Sequence, residues 1–224
     1  MTYLGHIIGS GKHRPDPDRL QAVTGMRAPT TKKHLLSVLG LFNFYRAYVE
    51  DYAAIAKPLT DLTAKRMPKI LVWDEKEQRS FDLLRDKICY APVLSVPEPG
   101  KPFRCYTDAS DIAVACQVAQ CDQDGNEHPV AYASSKLTNT QRNWSVIERE
   151  AYAVVWALNR FHNMVFGAAI EVFCDHNPLR NLTENAAKSA KLTRWLLSLQ
   201  EYNLTIKYIK GKANLVADSV PCRS

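Results

Sequence analysis

Phe103-Arg104-Cys105-Tyr106-Thr107-Asp108-Ala109-Ser110-Asp111-Ile112-Ala113-Val114-Ala115-Cys116-Gln117-Val118-Ala119 reads as two strands joined tightly, with a carboxylate near the end of the first. Apolar Phe103 and Cys105 lead up to Asp108. A second run of the same kind, Ile170-Glu171-Val172-Phe173-Cys174, ends in Asp175. A carboxylate at a strand end can point into a cleft, and two such strands side by side bring both acids within reach of one hard cation. Strand-end aspartates also form turns and caps, so the pair alone fixes no role.

Around this stretch the pattern alternates. Val130 to Ser134 reads as a third strand, and a helix runs from about 146 to 163. After the strand Ile170 to Cys174 come a helix near 190–201 and an alternating strand carrying Leu204, Ile206 and Tyr208. Strands grouped first and then mixed with helices imply a layered α/β domain rather than a bundle. Pro92, Pro97, Pro99, Gly100 and Pro102 can sustain neither helix nor ladder, which sets the domain boundary at residue 97.

Upstream the period is helical. Asp16 before Pro17 makes a cap and first-turn pair, and Thr30 or Thr31 caps a helix with Leu35, Val38, Leu39, Phe42 and Tyr45 on one face. Asp74 and Glu77 form a capping arrangement before Phe81, Leu84 and Ile88. The opening Tyr3 to Ile8 looks like a strand leading into a turn, with no partner in its own segment, so the chain is expected to begin partway through a sheet.

The helix near 150 offers two glutamates with different duties. Ser145 and Glu148 fit a capping box, which occupies Glu148. Glu150 is in register with Val154, Ala157 and Phe161, so it faces the core and needs a partner or a metal. A fourth acid, Asp218, lies in Asn214-Leu215-Val216-Ala217-Asp218. Four carboxylates without Cys or His clustering suit Mg²⁺ better than zinc. Two such ions activate a water and stabilise the leaving oxygen in phosphodiester cleavage.

The net charge is +6, and the excess is mostly N-terminal: residues 1–96 hold 15 Lys and Arg against 10 Asp and Glu, residues 97–224 hold 14 against 13. That balance permits a polyanionic partner without requiring one. No stretch has the length and apolarity of a membrane span and none reads as a secretory signal, so an intracellular protein, cytoplasmic or nuclear, is expected. The six cysteines never form Cys-x-x-Cys, and most sit in apolar runs, which favours reduced, buried thiols.

Order and spacing then give a resemblance. Thr107-Asp108-Ala109-Ser110, His128-Pro129-Val130-Ala131-Tyr132, Glu148-Arg149-Glu150, Cys174-Asp175-His176 and Gly211-Lys212-Ala213-Asn214-Leu215-Val216-Ala217-Asp218 resemble the ribonuclease H domain of gypsy-type LTR retrotransposon Pol polyproteins. Tyr3-Leu4-Gly5-His6 resembles the primer-grip hairpin of that family's reverse transcriptase. Leu39-Gly40-Leu41-Phe42-Asn43-Phe44-Tyr45-Arg46, with Ile55-Ala56-Lys57-Pro58-Leu59, resembles its thumb.

The resemblance implies a ribonuclease H-like mixed five-stranded sheet with helices over 97–224. A thumb-like or connection-like helical segment at 16–96 and the end of a palm at 1–15 would precede it. Asp108, Glu150, Asp175 and Asp218 become the catalytic, metal-binding acids for two Mg²⁺, with Mn²⁺ as a substitute. The substrate becomes the RNA strand of an RNA–DNA hybrid, and the other partner is the remainder of the reverse transcriptase or Pol polyprotein. A virus-like particle is then a further location. Lys32, Lys33 and Arg46 would contact phosphates; Tyr45 packs either against a sugar or in the core.

Several features depart from the family. Tyr48-Val49-Glu50-Asp51 imitates the polymerase Tyr-x-Asp-Asp turn but follows a long helix, so it reads as a solvated helix end, and no polymerase palm site is present. Gln117 on an otherwise apolar strand faces a wet surface or goes unsatisfied, Cys174 stands where Thr is usual, and Pro221 follows closely on Asp218. No histidine follows His176, which is read as structural. Two functions stay open: a Mg²⁺-dependent hybrid ribonuclease, and an inactive retroelement remnant that still binds nucleic acid.

Overall fold

In the computed structural model, which describes residues 1–175 and 189–209, the chain opens with three short antiparallel strands, β1 (Thr2–Tyr3), β2 (His6–Gly9) and β3 (Lys12–Pro15). Two-residue loops join them, Leu4-Gly5 with φ of 47° and 79° and Ser10-Gly11 with φ of 52° and 68°. Two consecutive positive φ values match the twist of a hairpin, which is why a glycine ends each loop. The helices α1 (Pro17–Thr24), α2 (Lys32–Phe44), α3 (Tyr52–Ile55), α4 (Lys57–Asp61) and α5 (Glu75–Cys89) follow, with a 3-10 turn at Arg46–Tyr48. Then β4 (Leu94–Ser95) pairs with β3 and completes a four-stranded sheet. The opening strand therefore does have partners within the chain, which corrects the expectation that it has none in its own segment.

Local chemistry sets the helix starts. The Asp16 side chain accepts the Asp18 N–H before Pro17, the Thr31 hydroxyl accepts the His34 N–H, and Asp74 with Glu77 forms a reciprocal capping box. Leu35, Val38, Phe42 and Tyr45 from the α2 face meet Phe81, Leu84 and Ile88 of α5 in one core. Tyr45 thus packs inside, 2% exposed.

The second sheet is mixed and five-stranded, as the resemblance implies. Its strands are β5 (Phe103–Ala109), β6 (Ala113–Cys121), β7 (Glu127–Lys136), β8 (Ala169–Cys174) and β9 (Asn203–Tyr208), in the order β7-β6-β5-β8-β9. The tight β5–β6 link is held by Ser110, whose Oγ accepts the N–H groups of Ile112 and Ala113. Helices α6 (Asn139–Arg142), α7 (Val146–Arg160), α8 (His162–Val165) and α9 (Ala190–Leu199) complete the described elements. The helix expected over 146–163 is divided at Phe161, which caps α7.

Because β5 runs parallel to β8 and β8 to β9, each link crosses back over the sheet. Helix α7 lies in the first crossover and buries Ala151, Val154, Ala157 and Leu158 against Phe103, Cys105, Cys116 and Val118. The opposite face at β7 is covered by the 3-10 turn and α3. Gln117 is buried between Tyr106 and Tyr132 in its cross-strand row, and its Nε2 has no partner among the described residues. Cys105 and Cys116 are buried free thiols and Cys89 a half-buried one. Among the described residues no helix is long and apolar enough to cross a membrane.

Candidate active site

Strand register brings the first two acids to one sheet end. Tyr106 pairs with Phe173 between parallel β5 and β8, and continuing that register sets Asp108 beside Asp175, just past the end of β8. Glu150 enters from α7. The Ser145–Glu148 capping box fixes where that helix starts, with the Ser145 hydroxyl accepting the Glu148 N–H. Glu148 is further held by Lys191 at 2.7 Å. Two residues on, Glu150 is turned inward, 2% exposed.

The three carboxylates feel one another. Burial pushes the Glu150 carboxyl up to about 8, and repulsion by Asp175 and then Asp108 adds to it. Asp108 is raised by burial, then by the charges of Asp51 and Asp175. The Ala109 backbone N–H steadies both Asp108 and Glu150, so both side chains lie near the same donor. Glu150 Oε2 is buried without a hydrogen-bond partner among the described residues. An ionised carboxylate cannot stay so placed without compensation.

A divalent cation meets that need. The donors are all carboxylate oxygens, which suit a hard ion, and the orphaned Glu150 oxygen marks where positive charge is missing. Among the described residues, however, no three His, Cys, Asp or Glu side chains are gathered closely enough to hold a metal by themselves. Asp218 and His176 lie outside the described residues.

The cations expected to meet phosphates have other contacts here. Lys32 donates to the Ala64 carbonyl at 2.7 Å. Arg46 donates to the Ser134 carbonyl at 2.6 Å and to Asn43 Oδ1 at 3.3 Å, and lies 5.7 Å from the Tyr52 ring centre. Lys33 is exposed at the start of α2. Sequence reasoning missed Asp51. Instead of ending a helix in solvent it is half-buried, in a left-handed turn at φ 55°, while Tyr48 and Val49 are buried. The one sequence signal was its position just before Tyr52-Ala53-Ala54-Ile55, as a helix cap.

Comparison with known proteins fits this arrangement. Residues 98–202 match the RNase H-like domain found in reverse transcriptase, and this part of the chain belongs to that domain family. Over nearly all its length the chain is homologous to Pol polyproteins of gypsy and other Drosophila LTR transposons. It is 36% identical to the retrovirus-related Pol polyprotein from transposon opus of Drosophila melanogaster, covering 98% of this chain and 23% of that one. The transposon 297 protein is 37% identical over 98% of this chain and 20% of its own length; the gypsy protein is 32% identical over 98% and 22%. The chain thus spans about a fifth of these curated relatives.

Solved structures agree in fold. A foamy viral protease-reverse transcriptase described as dRH, in complex with double-stranded DNA, superposes with TM-score 0.80 at 23% identity, covering 100% of this chain and 38% of the other. The foamy viral protein in complex with an RNA/DNA hybrid gives 0.75 at 22% identity, over 98% and 31%.

Proposed function

We propose that this chain is the thumb-like and ribonuclease H portion of a retrotransposon reverse transcriptase and cuts the RNA strand of RNA–DNA hybrids endonucleolytically. Residues 1–15 would end the palm, 16–96 form the thumb-like or connection-like segment, and 97–224 the nuclease. The observation that carries this is Glu150, buried on α7 with one oxygen unpartnered among the described residues and its carboxyl raised by burial and then by the charges of Asp175, just past β8, and Asp108 on β5. Asp108, Glu150 and Asp175, joined by Asp218, would hold two Mg²⁺, with Mn²⁺ in their place as a substitute. When bound, the ions supply activation of the attacking water and charge stabilisation at the leaving oxygen.

The protein's own part is positioning. Strand register would place Asp108 beside Asp175, and the α7 cap would set Glu150, whose carboxyl the Ala109 N–H lowers against the effect of burial. Lys33 is free in space to meet a phosphate, and Lys32 and Arg46 would do so only by sharing their present partners. The remaining partner is the rest of the Pol polyprotein, whose relatives are about five times longer. Intracellular action, in a virus-like particle, cytoplasm or nucleus, follows from the same reading.

Labelled RNA–DNA hybrid with Mg²⁺ provides the test. Wild type is expected to cut the RNA strand and Asp108→Asn to lose the activity; equal cutting by the variant would reject the assignment. A second reading, an inactive nucleic-acid-binding remnant, draws on the open state of the acid cluster. It expects hybrid binding that weakens steeply with salt and no cleavage at any Mg²⁺ concentration.

A further inference from the structure

A crevice opens where the helical segment meets β7. Its volume is about 330 Å³, and Tyr48, Glu50, Asp86, Lys87, Tyr90 and Tyr132 are among the residues that line it. That is the low end of the roughly 300–1,000 Å³ of ligand sites, room for one side chain rather than a nucleotide. Three elements build it. Tyr48 ends the 3-10 turn, with His13 and His6 at 2.7 and 2.9 Å from its hydroxyl. Tyr132 comes from β7 and packs on the core of the helical segment. Tyr90 caps α5, donating its N–H to the Asp86 carbonyl at 2.9 Å.

The lining carries two carboxylates, Glu50 and Asp86, against one amine, Lys87, a net negative charge on a chain whose total is +6. Asp86 pairs with Arg85 at 3.3 Å on the open rim, while Glu50 is exposed beside Asp51. The crevice also meets the C-terminal end of α5, where the helix dipole is negative. The faces of tyrosine rings are negative too. Lys87 apart, each of these features favours a cation and disfavours a phosphate. We infer that the crevice receives an arginine side chain of a partner polypeptide, with Glu50 as its counter-charge and Tyr90 and Tyr132 as its walls. A guanidinium suits this better than an ammonium, because its planar fork can lie along a ring while its N–H groups bond a carboxylate. The chain makes such a ring contact within itself, where Arg46 lies 5.7 Å from the Tyr52 ring centre. Tyr90 is 86% exposed, and Val93, next to the lining Pro92, is exposed as well, an apolar rim that a bound segment would cover. The crevice would act in this way whether or not the carboxylate centre holds metal.

N-acetyl-arginine methylamide, titrated into the full chain and followed by backbone amide NMR shifts, tests this. The neutral citrulline analogue, the lysine analogue and a short oligothymidylate are run beside it. Saturable shifts are expected around Tyr90 and Tyr132 with the arginine probe, weaker ones with lysine and none with citrulline. Glu50→Gln and Tyr90→Ala replace exposed side chains, so their urea midpoints are expected to match wild type. Affinity for the arginine probe should fall about 10-fold in Glu50→Gln and about 3-fold in Tyr90→Ala. Equal shifts from citrulline, unchanged affinity in either variant, or no saturable shift at these residues would each overturn the assignment. So would oligothymidylate shifting the same amides more strongly than arginine does, which would make the crevice a nucleic-acid contact.

Discussion

Burying Glu150 beside two other acids costs the metal-free protein stability, and the sign of the cost with pH can be worked out. The folded carboxyl titrates at about 8, above its ordinary 4.5. Below 4.5 the group is protonated in both states and folding bears no penalty. As pH rises the unfolded chain ionises first, so stability is lost progressively until the folded carboxyl also ionises near 8. The loss is on the order of a few kcal/mol. Glu150→Gln is expected to remove this slope from urea midpoints taken between pH 5 and 8 without metal; a wild-type slope in the variant would contradict it. The inward face of Glu150 was legible in sequence because helix register and a capping box fix it. The Gln117 environment was legible only as two alternatives, and burial selected the unsatisfied one for its Nε2.

At the scale of elements, the small sheet shows what a sequence period leaves out. Its strands are two to four residues long, too short to show a period, and β4 joins from the far side of five helices. The loops Leu4-Gly5 and Ser10-Gly11 were the available signal, since consecutive left-handed residues close a hairpin. His6 and His13 on this sheet both meet the Tyr48 hydroxyl, at 2.9 and 2.7 Å, clamping the meander to the 3-10 turn. Burial lowers both imidazoles below their ordinary 6.5, and His13 is lowered further by His6. The unfolded chain therefore takes up protons first, and stability falls as pH drops below 6.5. His13→Gln should flatten that fall, opposite in sign to the Glu150 effect, in the same urea series. An unchanged low-pH slope would mean the clamp does not depend on neutral histidines.

For the molecule as a whole, the sequence showed two composition zones but not how they meet. Arg46 read as a phosphate contact, because a cation after an amphipathic helix carries no mark of a partner 88 residues away. In the structure its guanidinium grips β7, the Ala53 N–H grips the same serine, and Asp61 pairs with Lys136. Ser134→Ala removes the acceptor of the Ala53 N–H in a packed interface and should cost roughly 1–3 kcal/mol in urea unfolding. No loss would show that this junction contributes little. The five-stranded layer was legible from Phe103 onward because its strands alternate and its acids sit at strand ends. The junction was not, since it depends on tertiary pairing between segments whose local patterns are each complete.

Everything functional depends on Asp108, Glu150 and Asp175 sharing divalent cations at one end of that layer. Anomalous diffraction from crystals soaked in Mn²⁺, collected at the manganese edge, tests this most directly. The account expects density bounded by those three carboxylates. Crystals with ordered carboxylates and no anomalous peak between them, at Mn²⁺ concentrations that saturate binding in solution, would contradict it.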